Sequence, residues 1–272
     1  MLGLGTTLAS IEPARIYKEA DEFSNASDLD IWYDFSTLGL GYGGSASQDD
    51  EIAAYTNLGA SGSTNNIDSN VDAPTFDLVN MSPRGSIKFD GSSHEALIPA
   101  AAYTTTGKAY TWFMVLYRGD DSNDAIIANA ANGTEYFQLR GSGASILVSK
   151  ADMSANKTIT FSSTGGGSTN YTYQDASDAG SNGIQVIVYN RTSAGVVNVY
   201  NHLGQFIATS TNAVVKSGAD MTFGALGGSS GSGIVDFHGN IGEFGIFDAD
   251  IGLSDSQELA KNLAKKWGAA TV

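Results

Sequence analysis

Short runs with apolar residues at every second position, cut by glycine and polar turns, recur along the chain. That is the period of half-buried strands. The cleanest stretch begins at 184: Ile184, Val186 and Val188 alternate with Gln185, Ile187 and Tyr189. Val197 and Val199 follow across a loop, and Asn201-His202-Leu203-Gly204 turns the chain into 205–209. The pattern predicts a three-stranded antiparallel meander. Other strands are expected at 31–35, 86–90, 95–98, 124–129, 134–140, 144–149, 157–162 and 220–225. Gly91, Gly133, Gly141 and Gly143 punctuate them at the short, even spacing of a β-sandwich. Residues 110–117, YTWFMVLY, are apolar at both parities, as a strand covered on both faces requires.

The period changes near the end. A strand at 234–238, a tight turn at Gly239-Asn240 and a strand at 241–247 predict a hairpin in which Phe244 and Ile246 share one face. From Ser254 the spacing becomes helical, because Leu259, Leu263 and Trp267 recur every four residues. Ser254 and Gln257 form a capping-box pair. Asp255 and Glu258 suit the positive end of the helix dipole, and Lys261, Lys265 and Lys266 the negative end. Gly268 closes the helix. Two long polar stretches, 39–73 (broken by a short piece at 51–58) and 163–183, carry no period and read as loops. Residues 14–22 hold a weak helical pattern.

The closing unit carries a resemblance. Gly239-Asn240-Ile241-Gly242-Glu243, Ile246-Phe247-Asp248, Leu253-Ser254, Glu258 and a terminal Lys-Lys-Trp-Gly are similar to the closing motif of laminin-G-like domains of the concanavalin A-like lectin/glucanase superfamily. Upstream, LDIWYDFSTL (29–38), IKFDGSSHEALIP (87–99) and the meander at 184–209 agree in order. The resemblance implies an all-β, two-sheet antiparallel jelly-roll sandwich with an N-terminal arm and one short C-terminal helix. On this reading 1–28 is an arm or docking segment, 29–268 the laminin-G-like domain and 269–272 a tail. Activity does not follow, because the superfamily includes lectins, adhesion modules, hydrolases and virion proteins.

Composition narrows the classes. Of 272 residues 42% are apolar, with 12 Phe, 12 Tyr and 3 Trp, enough for a large core. The net charge of −15, with only 14 basic residues, argues against nucleic acid, which needs clustered Lys and Arg. A run of about 20 apolar residues, the length that spans a membrane, does not occur. The lack of cysteine excludes disulfides and thiolate metal sites. The opening MLGLGTTLASIE has its first basic residue only at Arg15, unlike a secretory signal, so the chain is expected to stay in the compartment where it is made.

The resemblance to a superfamily that includes glucanases raises a catalytic reading. Glycoside hydrolysis needs two carboxylates about 5 Å or about 6.5–9.5 Å apart. The Glu-x-Asp-x-x-Glu run that such hydrolases carry on one strand is absent, and Asp236, Glu243 and Asp248 fall in the structural closing motif. No Gly-x-Ser-x-Gly elbow joins a strand to a helix, and the Gly165–Gly167 run lacks the Gly-Lys-Ser/Thr of a phosphate loop. The expectation is a protein that is not an enzyme and holds no cofactor. Asp49, Asp50 and Glu51 are the weak candidates for calcium, set against the plainer reading of solvated loop charges. His94 and His202 read as turn residues.

Two binding roles remain. In the first, the chain is a virion structural protein of a tailed phage, a head decoration or fibre-like component assembled in the host cytoplasm. Leu2, Leu4, Leu8 and Ile11, with Ile16 and Tyr17, would then dock on capsid or tail proteins, and the sandwich would project outward, in a homo-oligomer or alone. The alternative is a carbohydrate-binding lectin or adhesion module with Tyr42, Tyr55, Tyr171 and Tyr173 stacking on a glycan. A glycoside hydrolase is the weaker third reading.

Overall fold

The computed structural model describes residues 17–68, 72–98, 109–118, 124–131, 135–142, 145–152, 155–162, 184–211, 221–224 and 235–269. The strands run β1 (Leu29–Asp34), β2 (Ala54–Tyr55), β3 (Ile67–Asp68), β4 (Thr75–Asp77), β5 (Ser86–Asp90), β6 (Ala96–Ile98) and β7 (Tyr110–Arg118). They continue with β8 (Asp124–Ala131), β9 (Glu135–Ser142), β10 (Ser145–Asp152), β11 (Ala155–Ser162), β12 (Ile184–Arg191), β13 (Val196–Tyr200) and β14 (Phe206–Thr211). Last come β15 (Met221–Phe223), β16 (Val235–Asp236), β17 (His238–Phe247) and the helix α1 (Gly252–Trp267).

Two sheets result. The first has the order β14-β13-β12-β7-β17-β5-β4, and the second β11-β10-β9-β8-β15-β6-β3-β2. Among the described strands pairing is antiparallel, except that β16 runs parallel to β8. The long β17 lies against β7 on one edge; its other edge is shared by β5 along 238–241 and β1 along 243–247. The chain is a jelly-roll sandwich with a C-terminal helix, and the meander β12-β13-β14 is the one the alternation predicts.

Two cores explain why β7 is apolar at both parities. Trp112, Met114 and Leu116 point between the sheets, where they meet Phe89, Ile98, Ile126, Phe223 and Phe244. Phe113 and Val115 point outward, into a layer made by Leu259, Leu263 and Trp267 of α1, with Phe23 of the N-terminal segment. Phe244 and Ile246 share the inner face, as their spacing requires. Each fully buried side chain of this kind stabilises by about 1.5–3 kcal/mol.

Two local expectations are corrected. Residues 234–247 are not a hairpin: Gly239 and Asn240 lie inside β17, and β16 pairs with β8 instead. A Gly-Asn pair turns a chain only where the flanking strands have no better edge, and here both edges of β17 are taken. The Ser254–Gln257 capping box does not form either, because α1 starts two residues earlier. The Asp250 Oδ1 accepts from the Gly252 N–H at 2.8 Å, and Thr111 Oγ1 from the Ile251 N–H at 3.3 Å. The far end behaves as expected, with Gly268 left-handed at φ 64° and its N–H donated to the Lys265 carbonyl. Gly242 is also required. A Cβ there would lie 2.6 Å from Trp267 Cη2, so this glycine lets the tryptophan settle on the sheet.

A candidate binding cleft

The unpatterned segment 39–66 has little regular structure but many polar anchors. Asn57 does most of the fastening. Its Nδ2 donates to the Asp30 carbonyl, the Gly62 carbonyl and Ser61 Oγ, and its Oδ1 accepts from the Trp32 and Gly59 N–H groups. Gly44 passes so close to Leu38 that a Cβ would fall 2.0 Å from its carbonyl oxygen. Asp34, at the end of β1, holds the following 3-10 turn Phe35–Leu38, with Oδ1 accepting from the Ser36 N–H and hydroxyl. The Asp34 carbonyl accepts from Thr37 Oγ1 at 2.7 Å and from the Tyr55 hydroxyl at 2.6 Å.

Between the turn, the 44–52 loop and the stretch 54–66 lies a cleft of about 710 Å³. Leu38, Ile52, Tyr55 and Leu58 supply its apolar surface, and Thr37, Ser45, Thr56 and Asn66 its neutral polar groups. Asp50 and Glu51 stand in its wall. Leu58 is 44% exposed, so part of the apolar surface faces solvent. A volume of several hundred Å³ with mixed apolar and hydrogen-bonding walls is what a small organic ligand takes.

Behind the cleft is a buried ion cluster. Lys266 Nζ reaches Glu19 Oε2 at 2.6 Å, Asp34 Oδ2 at 2.7 Å and Glu243 Oε2 at 2.9 Å. Glu243 is fully buried and also accepts from two tryptophan indoles, Trp32 Nε1 at 2.9 Å and Trp267 Nε1 at 2.7 Å. Burial pushes Glu243 up, to about 7, while the Lys266 ammonium beside it pulls the other way. Burial would lower Lys266, but the three carboxylates around it outweigh that and raise it. Among the described residues this is the group of three carboxylates whose oxygens converge within 4.8 Å. The ammonium occupies the place where a cation would sit, so the cluster is a structural bolt joining the N-terminal segment, β1, β17 and α1. Glu243 is enclosed by donors and cannot reach a glycosidic bond.

The sequence candidates are scattered. Tyr42 is 40% exposed with the Arg84 guanidinium 5.0 Å from its ring centre. Tyr55 lines the cleft but is only 7% exposed; its ring packs on Phe35 and Tyr33, and burial pushes its phenol well above the usual range. Tyr171 and Tyr173 lie outside the described residues, as do Leu2, Leu4, Leu8, Ile11 and Ile16. Tyr17 is half-buried, accepting from Arg84 Nη2, and the segment after it is tied to α1 through the Lys18 N–H on Asn262 Oδ1. Asp49, Asp50 and Glu51 do not converge: Asp49 accepts from Gln48, and Asp50 from the Ser47 N–H at 2.7 Å. His94 sits in the turn capped by Asp90, and His202 in the buried turn beside Asn201. Sequence reasoning missed Lys266, which it assigned to the negative end of the helix dipole, and Thr37, Thr56 and Asn66, which carry no pattern.

No protein-family model and no curated protein matches the sequence. Solved structures do match in shape. The binding domain of botulinum neurotoxin serotype D superposes with a TM-score of 0.57 at 13% identity, covering 90% of this chain and 55% of that one. A structure of botulinum neurotoxin type C, whose cell entry depends on interaction with two ganglioside molecules, gives 0.55 at 12%, with 80% and 51% covered. Domain 4 of AbnA, an extracellular GH43 arabinanase from Geobacillus stearothermophilus, in complex with arabinotriose, gives 0.52 at 14%, with 85% and 98% covered. The chain thus spans about half the length of the neurotoxin binding domains and nearly all of the arabinanase domain. At these identities the likeness is one of fold.

Proposed function

We propose that this chain is a non-enzymatic, lectin-like binding module whose cleft between Thr37, Tyr55 and Asn66 takes a saccharide. The observation that carries the reading is the cleft itself, where apolar surface from Leu38 and Leu58 adjoins hydroxyl and amide groups. A sugar presents the same mixture, C–H faces beside hydroxyls. The neurotoxin and arabinanase domains of like fold add support, since those proteins are described with gangliosides and with arabinotriose. A glycan array tests it: wild type should retain a defined set of saccharides, and Thr56→Trp, which fills the cleft, should lose them. Equal retention by both proteins would refute the assignment.

The setting we propose is a tailed-phage virion, with the module fixed to capsid or tail through residues 1–28. Support for this comes from the sequence: the laminin-G-like closing motif, the acidic cysteine-free composition, and Leu2, Leu4, Leu8 and Ile11 in a glycine-rich stretch. Cosedimentation of full-length and Δ2–12 protein with stripped phage heads tests attachment. The full chain should pellet and the deletion remain in solution; if both pellet alike, the arm is not the anchor.

A further inference from the structure

We infer that the cleft selects uncharged saccharides and rejects acidic ones, and that Glu51 sets this preference. The inference rests on the saccharide reading above and adds the ligand's charge class. Both ionisable groups in the cleft wall, other than the tyrosine, are carboxylates, and none of its described lining residues is Lys, Arg or His. A uronate or sialate brought there would set its own carboxylate beside two others with no cation to offset them. Like-charge juxtaposition of this kind suppresses the wrong partner. Acidic sugars are bound where Arg, Lys or clustered N–H groups face the carboxylate; here the Thr37 and Tyr55 hydroxyls already donate to the Asp34 carbonyl, which leaves the Ser45 and Thr56 hydroxyls and the Asn66 amide as the side-chain donors of the wall.

The two carboxylates differ in freedom. Asp50 is committed to its own loop, accepting from the Ser47 N–H at 2.7 Å, and its carbonyl accepts from the Phe76 N–H. Glu51 is fixed through its backbone, bridged to Thr75, while its exposed side chain carries no hydrogen bond among the described residues. It is therefore the acidic group free to meet a ligand, either accepting from sugar hydroxyls or repelling an anion. The protein's net charge of −15 acts in the same direction at longer range.

The test is isothermal titration of the full chain, in EDTA, with neutral oligosaccharides taken from the array and with uronate- or sialate-bearing oligosaccharides of equal length. EDTA removes calcium, which would otherwise bridge carboxylates. Neutral ligands should bind about tenfold or more tightly than acidic ones at low salt, the gap narrowing as salt rises. Glu51→Lys should narrow or invert the ratio. Acidic ligands that bind wild type as tightly as neutral ones, in a manner lost in Thr56→Trp, would overturn the inference and leave the saccharide site standing. Binding of neither class would overturn both. A ratio unchanged in Glu51→Lys would remove Glu51 from the account.

Discussion

Replacing Lys266 with methionine isolates the electrostatic part of the buried cluster, because methionine retains much of the aliphatic length that packs near Trp32. What is lost is an ammonium at 2.6, 2.7 and 2.9 Å from three carboxylates. Those oxygens then lie within 4.8 Å of one another with no cation. Removing one partner of a buried ion pair costs about 3–5 kcal/mol. The pH dependence follows with its sign. Burial already raises Glu243 to about 7 in the wild type, so both proteins lose stability alike as pH rises from about 4.5 to about 7. Without the Lys266 ammonium that pulls it down, Glu243 keeps its proton to higher pH, and only the variant goes on losing stability above 7. The variant's deficit should therefore be about 3 kcal/mol or more at pH 7 and should grow as pH rises toward 9. In a domain of this size that is a fall of roughly 6–12 °C in Tm at pH 7. Urea and thermal unfolding of both proteins across pH 5–9 measure it. A deficit that does not grow above pH 7, or one under about 1 kcal/mol at pH 7, would refute the bolt.

Two further outcomes follow from local geometry. Gly242→Ala places a methyl group 2.6–2.8 Å from Trp267 Cη2, Trp267 Cζ3 and Met81 Cε, and the indole cannot retreat without leaving Glu243. Urea unfolding should show a loss of roughly 1–3 kcal/mol, the usual cost of overpacking. Asp90 accepts from the Ser92, Ser93 and His94 N–H groups and the Ser92 hydroxyl; despite some burial, these bonds hold its carboxyl well below the usual range. Its contribution is present above the ordinary value of 3.8 and lost as pH falls below it, so the stability gap between wild type and Asp90→Asn should close in acid.

The fold was legible because its elements are written in local periods. The alternation of Ile184, Val186 and Val188, the double-sided apolar run of β7 and the four-residue spacing of Leu259, Leu263 and Trp267 each depend on nearby residues alone. The cleft was not legible. It is built by long-range polar bonds, such as Asn57 to Asp30 and Tyr55 to Asp34, between residues with no shared period. Lys266 shows the same limit. Three lysines near a helix end look alike in sequence, and only β1, β17 and the N-terminal segment, arriving from distant parts of the chain, decide that one of them is buried. The hairpin expectation failed for the converse reason, since Gly239-Asn240 has strong local turn character that two available strand edges overrode.

The most direct measurement is a crystal structure of the full chain with a neutral oligosaccharide retained on the array. Sugar density is expected in the cleft, with a ring against Leu38 or Leu58 and hydroxyls bonded to Thr37, Thr56 or Asn66. Density at another place on the sandwich, with the cleft holding only solvent, would contradict the saccharide assignment.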